Sequence, residues 1–405
     1  MGIVVQKFGG TSVASRDSCA KVAAKVKKAI GAGYKVVVVV SAMGRRPAPY
    51  ATDTLLDLIS SYCPDVESRE RDAIASCGEV ISAAILASAL KAEGLKAMSM
   101  TGFQAGIVTD GNFTDARISS IDVTRISQLL EEGTVPVVAG FQGINKSGDV
   151  TTLGRGGSDT TAAALAAALK AEKVEIYTDV EGVMTADPRI VPEARFQKNV
   201  SYHDMAEMAN LGSKVVHPRA VEIAMKSRTP LVIRNTFSES EGTLVDDGPI
   251  SDVGSTVPDK PVSGITHTLG VTRVLIDISG RSGEDVSLEV LDKLATAGIS
   301  IDMISLFADR VAFIVSDKDA DRTEACLAGM GFEFSTKRGC GTVSVVGQIM
   351  RGIPGVMSKV VKALRDAGIE IIQTSDSHNS ISCLMRAEDV EKAARALHSE
   401  FEPGM

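Results

Sequence analysis

Five consecutive valines, Val36 to Val40, constrain the fold more than any other feature of the chain. A strand with one wet face alternates apolar and polar residues, and a strand buried on both faces does not. Residues 34–41 therefore read as a central strand covered by helices on both sides. Residues 2–7, 134–141 and 174–178 read as further strands, and 14–32, 71–93 and the alanine-rich 159–173 as helices, with a loop at 43–53. A hairpin is expected within 102–118, helices around 202–209 and 213–226, and a last strand at 230–234. Short β-branched runs alternating with helices give a parallel sheet, so the expected fold class is α/β, a three-layer α/β/α domain with a mainly parallel sheet.

At 405 residues the chain exceeds one typical core, and two or three domains are expected. A content of 44% hydrophobic and 23% charged residues is that of an ordinary globular protein. The net charge of -8 argues against nucleic-acid or membrane partners, so an anionic ligand needs a local cluster of Lys, Arg and backbone N–H groups. Six cysteines without a C-x-x-C pair and five dispersed histidines offer no metal-site spacing. The longest apolar run, residues 80–90, is shorter than the ~20 residues a bilayer span needs, and no basic leader precedes the first strand. The expectation is a cytoplasmic protein with reduced thiols.

Beyond residue 238 the texture changes to Ser, Gly, Asp and Pro, which reads as a linker. The chain then repeats a plan of helix, Ala-Gly stop and apolar strand at 286–299 and 356–369, consistent with two βαββαβ (ferredoxin-like) modules. The expected organisation is 1–245 catalytic, 246–262 linker, 263–338 first module and 339–405 second module, with strand exchange between the modules left open.

Residues 5–12, Val5-Gln6-Lys7-Phe8-Gly9-Gly10-Thr11-Ser12, deliver a lysine and two glycines to a strand-to-helix turn. Glycines let a backbone approach an anion, and the following helix adds its positive end. The lysine precedes the glycines, so this is not the G-x-x-x-x-G-K-[ST] loop, and taken alone it is an ordinary tight turn. Three more strings follow in order: Ser41-Ala-Met-Gly44, Thr152-Leu-Gly-Arg-Gly-Gly-Ser-Asp159, and Thr178-Asp-Val-Glu-Gly-Val-Met-Thr-Ala-Asp-Pro-Arg189. With the paired modules, the ordered set resembles aspartate kinase of the amino acid kinase family, whose C-terminal repeats resemble ACT domains. The resemblance covers essentially the whole chain.

The resemblance implies transfer of the ATP γ-phosphoryl group to the β-carboxylate of L-aspartate, the first step towards lysine, diaminopimelate, threonine and methionine, with Mg²⁺ carried by the phosphates and no protein metal ligand. A carboxylate is already ionised at neutral pH, so charge neutralisation and alignment should suffice. Lys7 matches the family lysine across the β- and γ-phosphates, with Phe8, Gly9 and Gly10 beside it, and Lys214 matches a second phosphate lysine. Asp159 would orient both lysines; read alone, it is a helix N-cap. Arg155 matches the residue that grips the substrate α-carboxylate, and Glu79 the one that holds its ammonium. Ser41, Thr52, Gly156, Gly157 and Ser158 would complete the cradle, Ser41 and Ser158 also bordering ATP. Thr178 and Asp179 stand where the family holds adenosine, and Thr185, Asp187, Pro188 and Arg189 would form the loop against ribose and phosphates.

The modules would bind an amino-acid effector, meso-diaminopimelate, lysine or threonine, within a homodimer or higher homo-oligomer. Gly280-Arg-Ser-Gly283 and Thr374-Ser-Asp-Ser-His378 make the variant look most like the diaminopimelate-responsive, Bacillus-type form. Rival expectations are a glutamate 5-kinase or N-acetylglutamate kinase type of enzyme, and an inactive amino-acid sensor. Arg155 and Glu79 favour a substrate with a free α-carboxylate and a free ammonium over the first. Intact Lys7, Asp159 and Lys214 argue against the second, and a dinucleotide enzyme is disfavoured because no G-x-G-x-x-G follows the first strand.

Overall fold

The computed structural model describes residues 2–247, 262–279, 283–348, 350 and 353–404. The linker expected at 246–262 and the start of the Gly280-Arg-Ser-Gly283 turn fall largely outside these residues. The chain divides into two compact units. One draws on Met1–Val183, Phe196–Asn210 and the stretch from Lys214; the other on Met184–Arg195, Leu211–Ser213 and the C-terminal stretch.

The strands of the first unit are, in chain order, β1 (Ile3–Phe8), β2 (Lys35–Val40), β3 (Ala97–Met100), β4 (Ile107–Thr109), β5 (Ile118–Ile121), β6 (Val135–Ala139), β7 (Gln142–Ile144), β8 (Val150–Thr152) and β9 (Lys173–Thr178). The short β10 (Val183–Met184) and β11 (Phe196–Gln197) pair with each other, and β12 (Asn199–Ser201), β13 (Leu231–Asn235) and β14 (Thr243–Asp246) complete the set. Eight strands form the main sheet in the order β12-β14-β13-β9-β1-β2-β6-β3. Every pairing given for it is parallel except β13 with β14, a final hairpin strand that the 230–234 reading did not anticipate.

Helices α1 (Arg16–Gly31), α2 (Thr52–Tyr62), α3 (Ser68–Ala92), α4 (Thr124–Glu131), α5 (Gly157–Ala168), α6 (Tyr202–Asn210) and α7 (Pro218–Ser227) belong to this unit. Val36, Val38 and Val40 pack with Val22 and Val26 of α1 and Leu86 and Leu90 of α3. Val37 and Val39 are equally buried and point to the opposite face. The valine run is thus buried on both faces.

α3 starts three residues earlier than expected and is long and apolar enough, by length and composition, to cross a membrane. Half of that apolar window is buried within the structure, and the helix carries the buried carboxylates Asp72 and Glu79. It is a core helix. A four-stranded sheet, β5-β4-β7-β8, stands in place of the hairpin expected at 102–118, and β8 ends on Thr152, where the glycine-rich loop begins.

The second unit is built on a six-stranded antiparallel sheet. Its strands are β15 (Gly264–Asp277), β16 (Asp302–Leu306), β17 (Arg310–Ser316), β18 (Glu333–Val346), β19 (Gln373–Asp376) and β20 (Ser380–Arg386), in the order β16-β17-β15-β18-β20-β19. The long β15 and β18 pair along their length with register shifts at 269–273. Beyond that point β15 pairs with β17, and the second half of β18 pairs with β20. Each long strand serves both modules, so position 338/339 falls inside β18 and no single cut in the sequence separates them. Helices α8 (Gly283–Thr296), α9 (Asp317–Ala328), α10 (Val356–Asp366) and α11 (Val390–Phe401) belong to the same unit.

The Ala-Gly stops work as the repeat suggested. Gly298 and Gly368 take φ of +65° and +67°, and the next residues, Ile299 and Ile369, donate back to Leu294 and Leu364, closing matching helix ends. Ile299 and Ile369 then drop into the core; the strands expected on them begin only at Asp302 and Gln373.

Candidate active site

The C-terminal ends of parallel strands with a helix N-terminus behind them make a cleft where fixed N–H groups meet an anion. Here β1 ends on Lys7-Phe8, β2 leads into Ser41 and Ala42, and α5 starts at Gly157. Lys7 is 9% exposed, and its Nζ lies 2.7 Å from Asp159 Oδ1 in an ion pair without hydrogen-bond alignment. Asp159 is the third residue of α5, so it is not the N-cap. Its other oxygen accepts the His217 N–H at 3.2 Å. Gly156 caps the helix at φ +69°, and a Cβ there would lie 2.3 Å from the His217 ring. Burial holds that imidazole below its usual range, against the opposing pull of Asp159.

Ser41, Thr52, Glu79, Arg155, Gly156, Gly157 and Ser158, all expected around the substrate, line one cavity of about 570 Å³ together with Lys7, Gly10 and Asp159. Thr52 opens α2, a helix that the loop reading of 43–53 did not foresee. Gly10 lets two loops touch: a Cβ would sit 2.6 Å from Ala42 O and 2.7 Å from Gly44 O, and Gly44 N donates to Gly10 O. Glu79 lies mid-way along α3, well past its first turn. Its Oε1 accepts Ala42 N–H at 3.0 Å, while Oε2 is buried without a partner. Burial pushes the Glu79 carboxyl up to about 8; the Ala42 N–H and the Lys7 charge oppose this without cancelling it.

Several expected residues lie elsewhere. Phe8 is fully buried and stacks on Tyr177 at 4.7 Å between ring centroids, so its ring supports the loop from the core. Gly9 N–H already donates to Tyr177 O at 3.2 Å and is not a spare phosphate donor. Lys214 is exposed and makes no ion pair among the described residues; the N–H of His217 occupies the Asp159 oxygen it was expected to share. Thr178 and Asp179 stand at the end of β9, next to β1, where Thr178 donates to Asp179 and Arg45 pairs with it at 3.0 Å.

Thr185 does not line the cavity. It is fully buried, its Oγ accepts the Arg195 N–H and lies 2.9 Å from His398 Nε2, and its segment clusters with the second unit. Asp187 is half-buried and binds Arg189 through both oxygens, with Pro188 exposed between them. Among the residues not expected, Asp72 and Arg71 on α3 line the cavity, and His217 braces Asp159 and Gly156. His217 was within reach of the sequence, because the string around Lys214 continues Val-Val-His-Pro.

A model of the amino acid kinase family matches residues 2–235, and an ACT-domain model matches residues 335–399. The chain is 44% identical over 403 residues to aspartokinase 1 of Bacillus subtilis, covering 99% of each. It superposes on the crystal structure of E. coli aspartokinase III in complex with aspartate and ADP (R-state) with a TM-score of 0.80 at 25% identity, covering 99% of this chain and 100% of that one. The same enzyme in complex with lysine and aspartate (T-state) matches with a TM-score of 0.73 at 26% identity, covering 98% and 99%. With a cleft built on Lys7, Asp159 and Glu79 in the first unit and an ACT-domain match in the second, the chain belongs to the amino acid kinase family and, within it, to the aspartokinases.

Proposed function

We propose that this chain transfers the γ-phosphoryl group of ATP to the β-carboxylate of L-aspartate, giving 4-phospho-L-aspartate, with the cavity around Glu79 and Arg155 as the aspartate site. The observation that carries this reading is Glu79, a buried carboxylate with one unpartnered oxygen, in a cavity that Lys7, Arg45, Arg46, Arg71 and Arg155 line with positive charge while Asp72 and Asp159 are already engaged by Thr114, Thr152, Lys7 and His217. An amino acid with two carboxylates and one ammonium complements that charge pattern. Arg155 takes the α-carboxylate with its planar fork, and Glu79 takes the ammonium. The β-carboxylate then faces Lys7 and the N-terminus of α5, where the γ-phosphate is neutralised by the lysine and the helix. The nucleophile is ionised on arrival, so the protein's work is alignment and charge neutralisation.

Among the described residues no group of three His, Cys, Asp or Glu side chains is arranged to hold a metal ion. The residues do not fit a protein-held metal cage. Mg²⁺ belongs to this reading only as an ion brought in on the nucleotide phosphates, and no step is assigned to it. The nucleotide's base and ribose are assigned to the end of β9 at Thr178 and Asp179.

The second unit has a cavity of about 420 Å³ where the start of α10 (Gly355, Val356, Ser358) faces Thr374 and Asp376 on β19. A helix start and an acidic strand edge suit the carboxylate and ammonium of an amino-acid effector, and we assign meso-diaminopimelate to it. The enzyme is taken as a cytoplasmic homodimer or higher homo-oligomer, the six unpaired cysteines being in keeping with a reducing compartment.

ATP-dependent aspartyl hydroxamate formation, titrated with meso-diaminopimelate, lysine and threonine, tests this. Activity suppressed by diaminopimelate alone is expected. Activity indifferent to diaminopimelate would remove the effector assignment, and absence of hydroxamate from folded protein would remove the aspartate reading.

A further inference from the structure

Asp72 lies on α3 seven residues before Glu79, on the same helix face and about 10 Å along the axis. It is 1% exposed and makes no ion pair among the described residues. Both its oxygens are used on the loops opposite. Oδ2 accepts Thr114 N–H at 2.9 Å and Thr152 N–H at 2.8 Å, and Oδ1 accepts the Thr152 hydroxyl at 2.7 Å.

These two threonines frame the substrate loop. Thr152 is the last residue of β8, three positions before Arg155. Thr114 holds φ at +69°, a left-handed conformation that a β-branched residue takes only when its surroundings enforce it. Gly154, directly before Arg155, packs on this turn: a Cβ there would lie 2.7 Å from Asp115 Oδ1 and 3.3 Å from Thr114 O. Ala116 N–H donates to Thr152 O at 2.9 Å and closes the frame.

We infer that Asp72 is a positioning residue for substrate binding: it fixes the Thr114 turn and the end of β8 to α3, and so sets the distance between Arg155 and Glu79 that selects an α-amino acid. The inference rests on the reading of Arg155 and Glu79 as the two ends of the aspartate site. A carboxylate accepting three hydrogen bonds suits this task because it offers lone pairs in two directions from one rigid helix. Asparagine preserves much of the arrangement. Its amide oxygen can accept the two N–H groups, and its NH₂ can donate to a Thr152 hydroxyl turned the other way. Alanine leaves both N–H groups buried and unpaired.

The test is steady-state kinetics of Asp72→Ala, Asp72→Asn, Arg155→Ala and the double variant Asp72→Ala/Arg155→Ala, with both substrates varied. Asp72→Ala is expected to raise KM for L-aspartate about 10- to 100-fold while KM for ATP stays within about twofold. Asp72→Asn is expected to stay within about threefold of wild type. The double variant should show little further rise beyond Arg155→Ala alone, because Asp72 acts through Arg155.

If Arg155→Ala leaves KM for aspartate unchanged, the substrate reading fails and the inference with it. If Arg155→Ala raises it but Asp72→Ala does not, or raises KM for ATP equally, or multiplies in full with Arg155→Ala, the positioning role alone is overturned. Should Asp72→Ala not fold, Thr152→Val deletes only the Oδ1 partner. A rise of about fivefold in KM for aspartate is then expected, and an unchanged KM would overturn the role.

Discussion

Changing Lys7→Met is expected to lower kcat for phosphoryl transfer by about 10²- to 10³-fold, the usual cost of losing one preorganised charge at a transition state. Lys7 is fixed at the end of β1 between β2 and β9 and is held beside Asp159 at the start of α5. Its charge is therefore in place before the nucleotide arrives and needs no reorganisation during the reaction. Methionine keeps the length of the side chain and removes the charge, leaving Asp159 with the His217 N–H alone. Loss of a partly buried ion pair also costs stability, so the rate is to be measured on protein whose unfolding curve shows it folded. KM for aspartate should change only a few-fold, because Arg155 and Glu79 are intact. Turnover within tenfold of wild type would remove Lys7 from the mechanism.

Changing Glu79→Gln is expected to raise KM for aspartate about 10²-fold and to flatten its pH dependence. In the empty cavity burial pushes Glu79 up to about 8, so near neutral pH the free enzyme holds this carboxyl protonated. A substrate ammonium favours the ionised form, and binding then releases a proton. The wild-type KM for aspartate should fall by up to about tenfold per pH unit as pH rises towards 8, then level off. Glutamine cannot ionise, and its profile over the same range should be flat.

Stability carries the opposite sign. Because the folded pKa lies above the unfolded value of 4.5, the folded protein binds the extra proton between them. The stabilisation from Glu79 is fully present below about 4.5 and is lost as pH rises through about 8. Ligand-free Glu79→Gln should therefore melt higher than wild type at pH 9, a difference that thermal unfolding would detect. A sloping KM profile in Glu79→Gln, or equal melting points at that pH, would contradict the role given to this residue.

The sheet was legible because Val36 to Val40 leave no polar face, and the module repeat because two glycines must adopt positive φ to end two helices. That Ser41, Glu79 and Arg155 line one cavity was expected from the family resemblance and not from any local pattern, since Glu79 sits mid-helix and the other two in separate loops. What stayed hidden depends on tertiary pairing. Asp72 reads as one more acid in a charged helix start until the fold brings Thr114 and Thr152 to it from 42 and 80 residues away. α2 carries Leu55, Leu56 and Ile59 on one face but buries none of them fully, and its first two residues fall in the stretch read as a loop after Pro47 and Pro49. Thr185 follows a kinase-like string, but its segment packs with the C-terminal unit through Ile190 and Val191, a destination no local pattern encodes.

The central claim is that this cavity selects aspartate by its two ends, and it is tested most directly by deleting a group from the substrate and its partner from the enzyme together. β-Alanine is aspartate without the α-carboxylate. Phosphorylation of both compounds is to be compared in wild type and Arg155→Ala as kcat/KM. Wild type should prefer aspartate by about 10³-fold or more, and Arg155→Ala should reduce that preference to within about tenfold, because its site no longer has a cation left unpaired by β-alanine. An undiminished preference for aspartate in Arg155→Ala would contradict the account.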